Sequence, residues 1–207
     1  MSKRKQPQPT SQSNQAGFTI IESLLAIIVV TILMVGLSPV IVLSVATRVQ
    51  AKRVERGTEA ARAYIDGVRS GAIISTTTGF PVHTTQSFKS VPSPTSATGL
   101  YCADLDGGGC SSTSNTDLYI QAFRNGDAAK PENGYKLGIR VYRADAFADS
   151  GALKTMGTDK AKAQTFSGGL GDRKAPQFET TTEIAGSGTS LKTLCDRIPK
   201  TNPDSCS

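Results

Sequence analysis

The chain has 207 residues, a formal net charge of +6 and 38% hydrophobic residues, with four cysteines, one histidine and no tryptophan. This length fits one globular domain with an extension and is too short for a transporter with many membrane spans. The positive charge lies on either side of one apolar segment, whereas residues 70–207 carry fourteen basic and thirteen acidic side chains. Because this part lacks a basic stripe interleaved with aromatic residues, we expect no nucleic-acid partner.

A long apolar segment follows a short basic leader at the N-terminus. Residues 18–47 contain a single charged side chain, that of Glu22. As a helix these residues would extend about 45 Å, against about 30 Å for the hydrocarbon core of a bilayer. The apolar run of a secretory signal peptide is only about 7–15 residues long. The segment is therefore predicted to span a membrane rather than to be a cleaved signal peptide. An ordinary signal anchor, which would also span the membrane, is the alternative that composition alone leaves open.

The start of this segment resembles the processing motif of type IV prepilins and type II secretion pseudopilins. The run Gly17-Phe18-Thr19-Ile20-Ile21-Glu22 follows a leader whose only charges are those of Lys3, Arg4 and Lys5. The resemblance covers about residues 1–70. It implies that a prepilin peptidase cuts the Gly17–Phe18 bond and N-methylates Phe18, and that Glu22 then pairs with the Phe18 ammonium of a neighbouring subunit.

Physical chemistry agrees with that role for Glu22, because a carboxylate and an ammonium in a medium of low dielectric cost much less together than apart. The resemblance also covers Pro39, which stands where many pilins carry a helix-bending proline, and Gly36 would ease the bend. A kink that any membrane helix tolerates is the alternative explanation for Pro39.

Charge alone leaves the orientation of the segment ambiguous. Three basic residues precede it, and Arg48, Lys52, Arg53 and Arg56 follow it, although short cytoplasmic flanks usually carry the excess of Lys and Arg. The processing motif and the cysteines favour a cytoplasmic N-terminus and an extracytoplasmic C-terminal domain.

The helical pattern continues beyond the apolar segment and ends near Ser70. An apolar face is predicted from Val54, Ala61, Tyr64, Ile65 and Val68. The resemblance to pilins implies an α+β fold in which the long N-terminal helix, half transmembrane and half amphipathic, packs on a small antiparallel sheet. We expect four regions: a leader at 1–17, a transmembrane or filament-core helix at 18–47, an amphipathic stem at 48–71 and an extracytoplasmic globular domain at 72–207.

Strand signals are confined to this last region. Residues 134–142 alternate apolar and other side chains, which predicts a strand with one buried and one solvent-exposed face. A second strand is predicted at 118–124, with weaker candidates at 72–78 and 177–184. Residues 86–99 are expected to form a loop, and residues 148–175 a long connection with one helical turn.

The four cysteines, Cys102, Cys110, Cys195 and Cys206, all follow the membrane segment, which favours disulfides. Three connectivities are possible, and we favour the two nearest-neighbour pairs. A C-terminal disulfide loop also resembles the one that ends many type IV pilins. Structural zinc is the disfavoured alternative, because the chain has no Cys-x-x-Cys pair.

The acidic stretch before Cys110 allows two interpretations. Asp104 and Asp106 are followed by three glycines, as in a loop that wraps a calcium ion, but Asn115 stands where an EF-hand needs a glutamate. A solvated turn between two cysteines is the interpretation we favour. With no catalytic motif in the sequence and a single histidine, His83, we predict no enzymatic activity, no metal and no cofactor.

Together these patterns predict a minor pilin or pseudopilin of the bacterial inner membrane that assembles into a pilus or pseudopilus for secretion, motility or adhesion. Its expected partners are prepilin peptidase, other subunits, an inner-membrane assembly platform and membrane lipid. A narrower resemblance, to cyanobacterial pseudopilins of polysaccharide secretion, involves GYKLGIRVYRADAF at 134–147 and DLDGGGC at 104–110. The alternative function is an unprocessed, single-pass anchored domain that binds a ligand outside the cytoplasm.

Overall fold

The computed structural model describes residues 19–73, 81–84, 87–125, 131–161, 171–186, 188 and 190–195. The chain forms two compact units, one ending at Leu43 and the other beginning at Ser44. Helix α1, Ile20–Ser70, contributes to both units, and Gly71 ends it with a φ of 75°. A glycine with positive φ just after the last turn is a common helix terminator. The predicted end near Ser70 is confirmed.

The second unit contains a mixed sheet with five strands in its described part. The strands are β1 (Val82–His83), β2 (Tyr101–Ala103), β3 (Leu118–Asn125), β4 (Tyr135–Arg143) and β5 (Phe178–Ile184). Strands β2, β3, β4 and β5 pair antiparallel in that order, while β1 pairs parallel with the same edge of β3 that β2 occupies. Short helical segments cover Pro131–Asn133, Ala144–Phe147 and α2, Leu191–Cys195.

The second half of α1 packs on one face of this sheet. Its buried residues include Ala61, Tyr64 and Val68. They join a cluster with apolar side chains of β3, β4 and β5, namely Leu118, Ile120, Tyr135, Leu137, Ile139, Val141 and Ile184. Gly57 allows the helix to approach the start of β5 closely, since a Cβ there would lie 3.0 Å from the Cβ of Gln177, the residue just before the strand. The predicted α+β class, with a long helix on a small antiparallel sheet, is confirmed.

The prediction that β4 has a solvent-exposed face is wrong. Every residue of the strand except Lys136 is buried, and Arg140 and Tyr142 are completely so. On this second face Gly138 lies under the ring of Phe123, where a Cβ would come within 2.1 Å of the ring. The alternating pattern located the strand correctly, but it could not show that further chain covers the other face.

Two irregular segments cover that second face. Ala146 and Leu153 pack with Tyr142 in a small apolar cluster, and the Tyr142 hydroxyl donates a 2.9 Å hydrogen bond to the Lys154 carbonyl. The Ser93 hydroxyl in turn donates to the carbonyl of Leu153 at 2.8 Å. As predicted, residues 87–99 form no helix or strand, and the described parts of 148–175 are likewise irregular. The weak strand candidate at 72–78 lies mostly outside the described residues.

Candidate functional site

The processing motif leads directly into α1. Gly17 and Phe18 lie outside the described residues, which begin at Thr19. The Thr19 side chain and carbonyl both accept hydrogen bonds from the backbone N–H of Glu22, at 3.3 and 3.0 Å. Thr19 is thus the N-cap of the helix and Glu22 lies in its first turn. An acidic side chain in this position is favoured by the positive end of the helix dipole.

The part of α1 in the first unit exposes its apolar side chains on all sides. Ile20 is 87% exposed and Met34 is 68% exposed, and no residue from 20 to 43 is buried. By length and composition α1 could cross a membrane, and none of its most apolar 18-residue window is buried. A core helix of a soluble protein would be mostly covered. This surface therefore needs lipid or other apolar helices around it.

Gly36 and Pro39 both lie inside this apolar stretch. The helix continues through both residues, and a side chain at Gly36 would meet no atom within 4 Å. Proline removes one backbone hydrogen bond of a helix. A bend at Pro39 stays a prediction.

The second candidate site is a small loop closed by a disulfide. Cys102, in β2, and Cys110 form a disulfide with a Cα–Cα distance of 5.9 Å. This is one of the two predicted nearest-neighbour pairs. Cys195, at the end of α2, is also disulfide-bonded, and Cys206 lies outside the described residues.

Three carboxylates meet at this disulfide loop. Oxygen atoms of Asp104, Asp106 and Asp117 lie within 4.8 Å of one another. Asp104 accepts backbone hydrogen bonds from Asp106, Gly107 and Gly109 at 3.1, 2.7 and 2.8 Å. These bonds, above all the one from Gly109, lower the pKa of the Asp104 carboxyl below 3.8. The ionised carboxylate therefore stabilises the turn.

The other two carboxylates are also engaged by the loop itself. Asp106 accepts hydrogen bonds from the hydroxyls of Ser114 and Thr116 at 2.9 and 3.0 Å. Asp117, which is fully buried, accepts from the backbone of Leu105 at 3.1 Å and of Ser111 at 3.4 Å. The donors that offset repulsion among the three acids are thus supplied by the chain. The cluster organises the loop, and we assign it no ion.

Two residues of these two sites, Thr19 and Asp117, were not predicted from the sequence. Thr19 was recognisable, because Thr-x-x-Glu before an apolar run is a common pattern at helix starts. Asp117 gave no local signal, since it stands thirteen residues after Asp104 and reaches the cluster only because β3 pairs with β2.

The fold and the N-terminal segment define a class of protein with an apolar helical anchor continuing into a helix packed on a sheet. Comparison with known families agrees: the prokaryotic N-terminal methylation motif matches residues 12–38. The N-terminal segment carries the signature of type IV pilins and pseudopilins, which confirms that resemblance. The narrower resemblance to cyanobacterial pseudopilins stays a prediction. No significant match was found among curated proteins or among solved structures.

Proposed function

We propose that the chain is a minor pilin or pseudopilin that prepilin peptidase cuts between Gly17 and Phe18 and N-methylates at Phe18. The observation that carries the proposal is the methylation motif at 12–38 running into a helix whose apolar side chains are exposed from Ile20 to Leu43. Subunits with this motif are structural rather than enzymatic. After cleavage, the apolar helices stack, and Glu22 neutralises the new amino terminus of a neighbour.

The proposed location follows from the same parts. The apolar segment inserts into the bacterial inner membrane with the leader in the cytoplasm, and the domain beyond it lies outside the cytoplasm, where disulfides persist. After assembly the chain belongs to a periplasmic or surface pilus or pseudopilus. Its partners are the peptidase, other subunits, the inner-membrane assembly platform and membrane lipid.

Mass spectrometry of the N-terminus tests this proposal. The full-length chain is expressed with an active prepilin peptidase and extracted from membranes. We expect a mature form that begins at N-methyl-Phe18, and a Gly17→Val variant that keeps its leader because a branched side chain crowds the bond to be cut.

The control is the same wild-type chain in cells that lack the peptidase, where the leader should stay attached. A wild-type chain that keeps residues 1–17 even with the active enzyme would contradict the proposal. It would favour the unprocessed, membrane-anchored binding domain instead.

A further inference from the structure

Basic side chains are concentrated in the part of α1 that directly follows the apolar segment. Residues 48–56 contain four of them, Arg48, Lys52, Arg53 and Arg56, and a single acid, Glu55. With the leader in the cytoplasm, an excess of basic residues beyond the membrane segment is the reverse of the usual charge distribution. The proposed processing and assembly do not account for this excess.

These four basic side chains lie on one side of the helix. At 3.6 residues per turn, they occupy an arc of about 140° around the helix axis, in the order Arg48, Lys52, Arg56 and Arg53. The first three are exposed, whereas Arg53 is half-buried at the edge of the face that packs on the sheet. Glu55 falls just outside the arc. We call the four basic residues the basic arc.

The fold brings a fifth basic side chain to the half-buried end of the basic arc. Gly57, about one helical turn after Arg53, closely approaches Gln177. The backbone N–H of Gln177 donates to the Val141 carbonyl at 2.8 Å, and Arg143 follows Val141 by two residues in β4. Arg53 and Arg143 are ninety residues apart in the sequence, yet their charges act on each other in the folded chain.

Two guanidinium groups and one carboxylate meet at this place. Arg143 is buried and pairs with Asp145. Burial lowers the pKa of the Arg53 guanidinium, and the charge of Arg143 lowers it further, while that of Asp145 opposes this. An anion beside Arg53 would favour its charged form. Phosphate suits this position, because a guanidinium can donate two parallel hydrogen bonds to its oxygens.

The basic arc also lies at the level of lipid phosphates. The apolar segment 18–47 is about 45 Å long as a helix, which matches the full thickness of a bilayer with its headgroup layers, about 40–45 Å. Arg48 therefore stands at the membrane surface, and the tilt that membrane helices usually have lowers the whole arc toward the headgroups. Lysine and arginine side chains also reach along the surface on their apolar stems.

We propose that the basic arc binds the headgroup of an anionic phospholipid, in the leaflet away from the leader, while the chain is still in the membrane. Arg53 holds the phosphate with the charge of Arg143 behind it, and the three exposed members of the arc attract the headgroup. The proposal rests on the membrane insertion in the proposed function, but on neither cleavage nor assembly. It also gives the basic residues beyond the membrane segment a partner of opposite charge.

Lipid retention by the full-length chain tests the proposal. The chain is inserted as one copy per nanodisc, so that no neighbouring copy contributes, into equal parts of phosphatidylglycerol and phosphatidylcholine with the same acyl chains. Native mass spectrometry then counts the lipids that stay on the chain. We expect an excess of phosphatidylglycerol on the wild type, and roughly a fivefold smaller excess on Arg53→Gln, the effect of one basic side chain near anionic lipid.

Arg62→Gln is the matched control, because it removes the same charge from an exposed position of α1 about 13.5 Å further along the helix. It should keep the wild-type excess. Arg53→Lys should recover only part of the excess, since an ammonium lacks the two parallel donors. Arg143→Gln should also lower the excess, and its circular dichroism is recorded because it breaks the pair with Asp145. If that variant does not fold, the Arg53 variants decide.

An inserted wild type that retains both lipids equally would overturn the lipid site and leave the proposed function standing. An excess that changes alike in Arg53→Gln and Arg62→Gln would do the same. Added inorganic phosphate should not displace phosphatidylglycerol, because its acyl chains keep it in the membrane, and displacement would assign the site to a free anion instead. A wild type that does not insert at all would refute the membrane segment on which the lipid site and the proposed function both rest.

Discussion

Arg140 is the residue that most clearly ties the irregular chain to the sheet. Its guanidinium donates hydrogen bonds to the carbonyls of Val91 at 2.7 Å and Phe88 at 2.9 Å. Its Nε lies 3.1 Å from a carboxylate oxygen of Glu179, near enough for charge attraction though not aligned as a hydrogen bond. The group also lies 4.9 Å above the ring of Phe123. One buried cation thus joins β4, β5, β3 and the loop at 87–99.

Replacing Arg140 with methionine should destabilise the chain by about 3–5 kcal/mol. It leaves two loop carbonyls without their donor, and the largely buried Glu179 keeps only the backbone N–H of Met156 as a partner. Arg140→Lys should recover only part of this loss, since an ammonium cannot span the same acceptors. Denaturant unfolding of the detergent-solubilised chain, followed by circular dichroism, measures the change.

Arg173→Met is the matched control, because it removes an exposed arginine from its pair with Asp149 and should leave the unfolding midpoint unchanged. If Arg140→Met behaved like Arg173→Met, the buried guanidinium would not be what holds the loop to the sheet.

Arg140 also shows why part of the fold could not be predicted from the sequence. The alternation from Tyr135 to Val141 located β4 and one of its faces correctly. The acceptors of Arg140 lie about fifty residues earlier in the chain, in a segment without any periodic pattern. A local alternation of apolar residues predicts one buried face of a strand. Whether the other face is also covered depends on contacts with segments far away in the sequence.

The loop between Cys102 and Cys110 should lose stability in acid, because Asp104 becomes protonated. Its folded pKa lies below the ordinary value of 3.8 because Gly109 and Gly107 donate backbone hydrogen bonds to the carboxylate. The stabilisation is therefore complete above pH 3.8 and is lost as the pH falls through the lower folded pKa. Nuclear magnetic resonance of the chain labelled with 15N-glycine should show the Gly107 and Gly109 amide signals moving upfield in that range.

The amide of Gly71 is an internal control, since it donates to the Val68 carbonyl at 3.3 Å and not to a carboxylate, and its signal should stay in place. In Asp104→Asn the response of Gly107 and Gly109 should disappear. Amide signals that move equally in that variant would mean that another group causes the change.

The elements also differ in how well the sequence located them. Helix α1 was predicted almost to its last residue, because an unbroken apolar run, an amphipathic continuation and Gly71 all favour the same helix. The disulfide of Cys102 followed from nearest-neighbour pairing. The meeting of Asp104 with Asp117 could not be foreseen, since it depends on the register between β2 and β3.

The basic charge of the whole chain is that of a precursor if the proposed processing takes place. The leader carries Lys3, Arg4 and Lys5 and no acid, so the proposed cleavage after Gly17 would reduce the side-chain charge from +6 to +3. The same cut would create a new ammonium four residues before Glu22. The helix that exposes its apolar side chains would then carry one positive and one negative group near its start, and each is costly in apolar surroundings without a partner.

Glu22→Ala therefore separates processing from assembly. Cleavage should proceed, because the peptidase acts on the Gly17–Phe18 bond before subunits pack. Assembly should fail or fall strongly, because each amino terminus would enter the helix bundle without a carboxylate. The measurement is the ratio of mature chain in sheared or pelleted filaments to mature chain left in the membrane. Ser23→Ala, a neutral change in the same exposed turn, should assemble as wild type does, and Glu22→Ala filaments at that same level would refute the pairing.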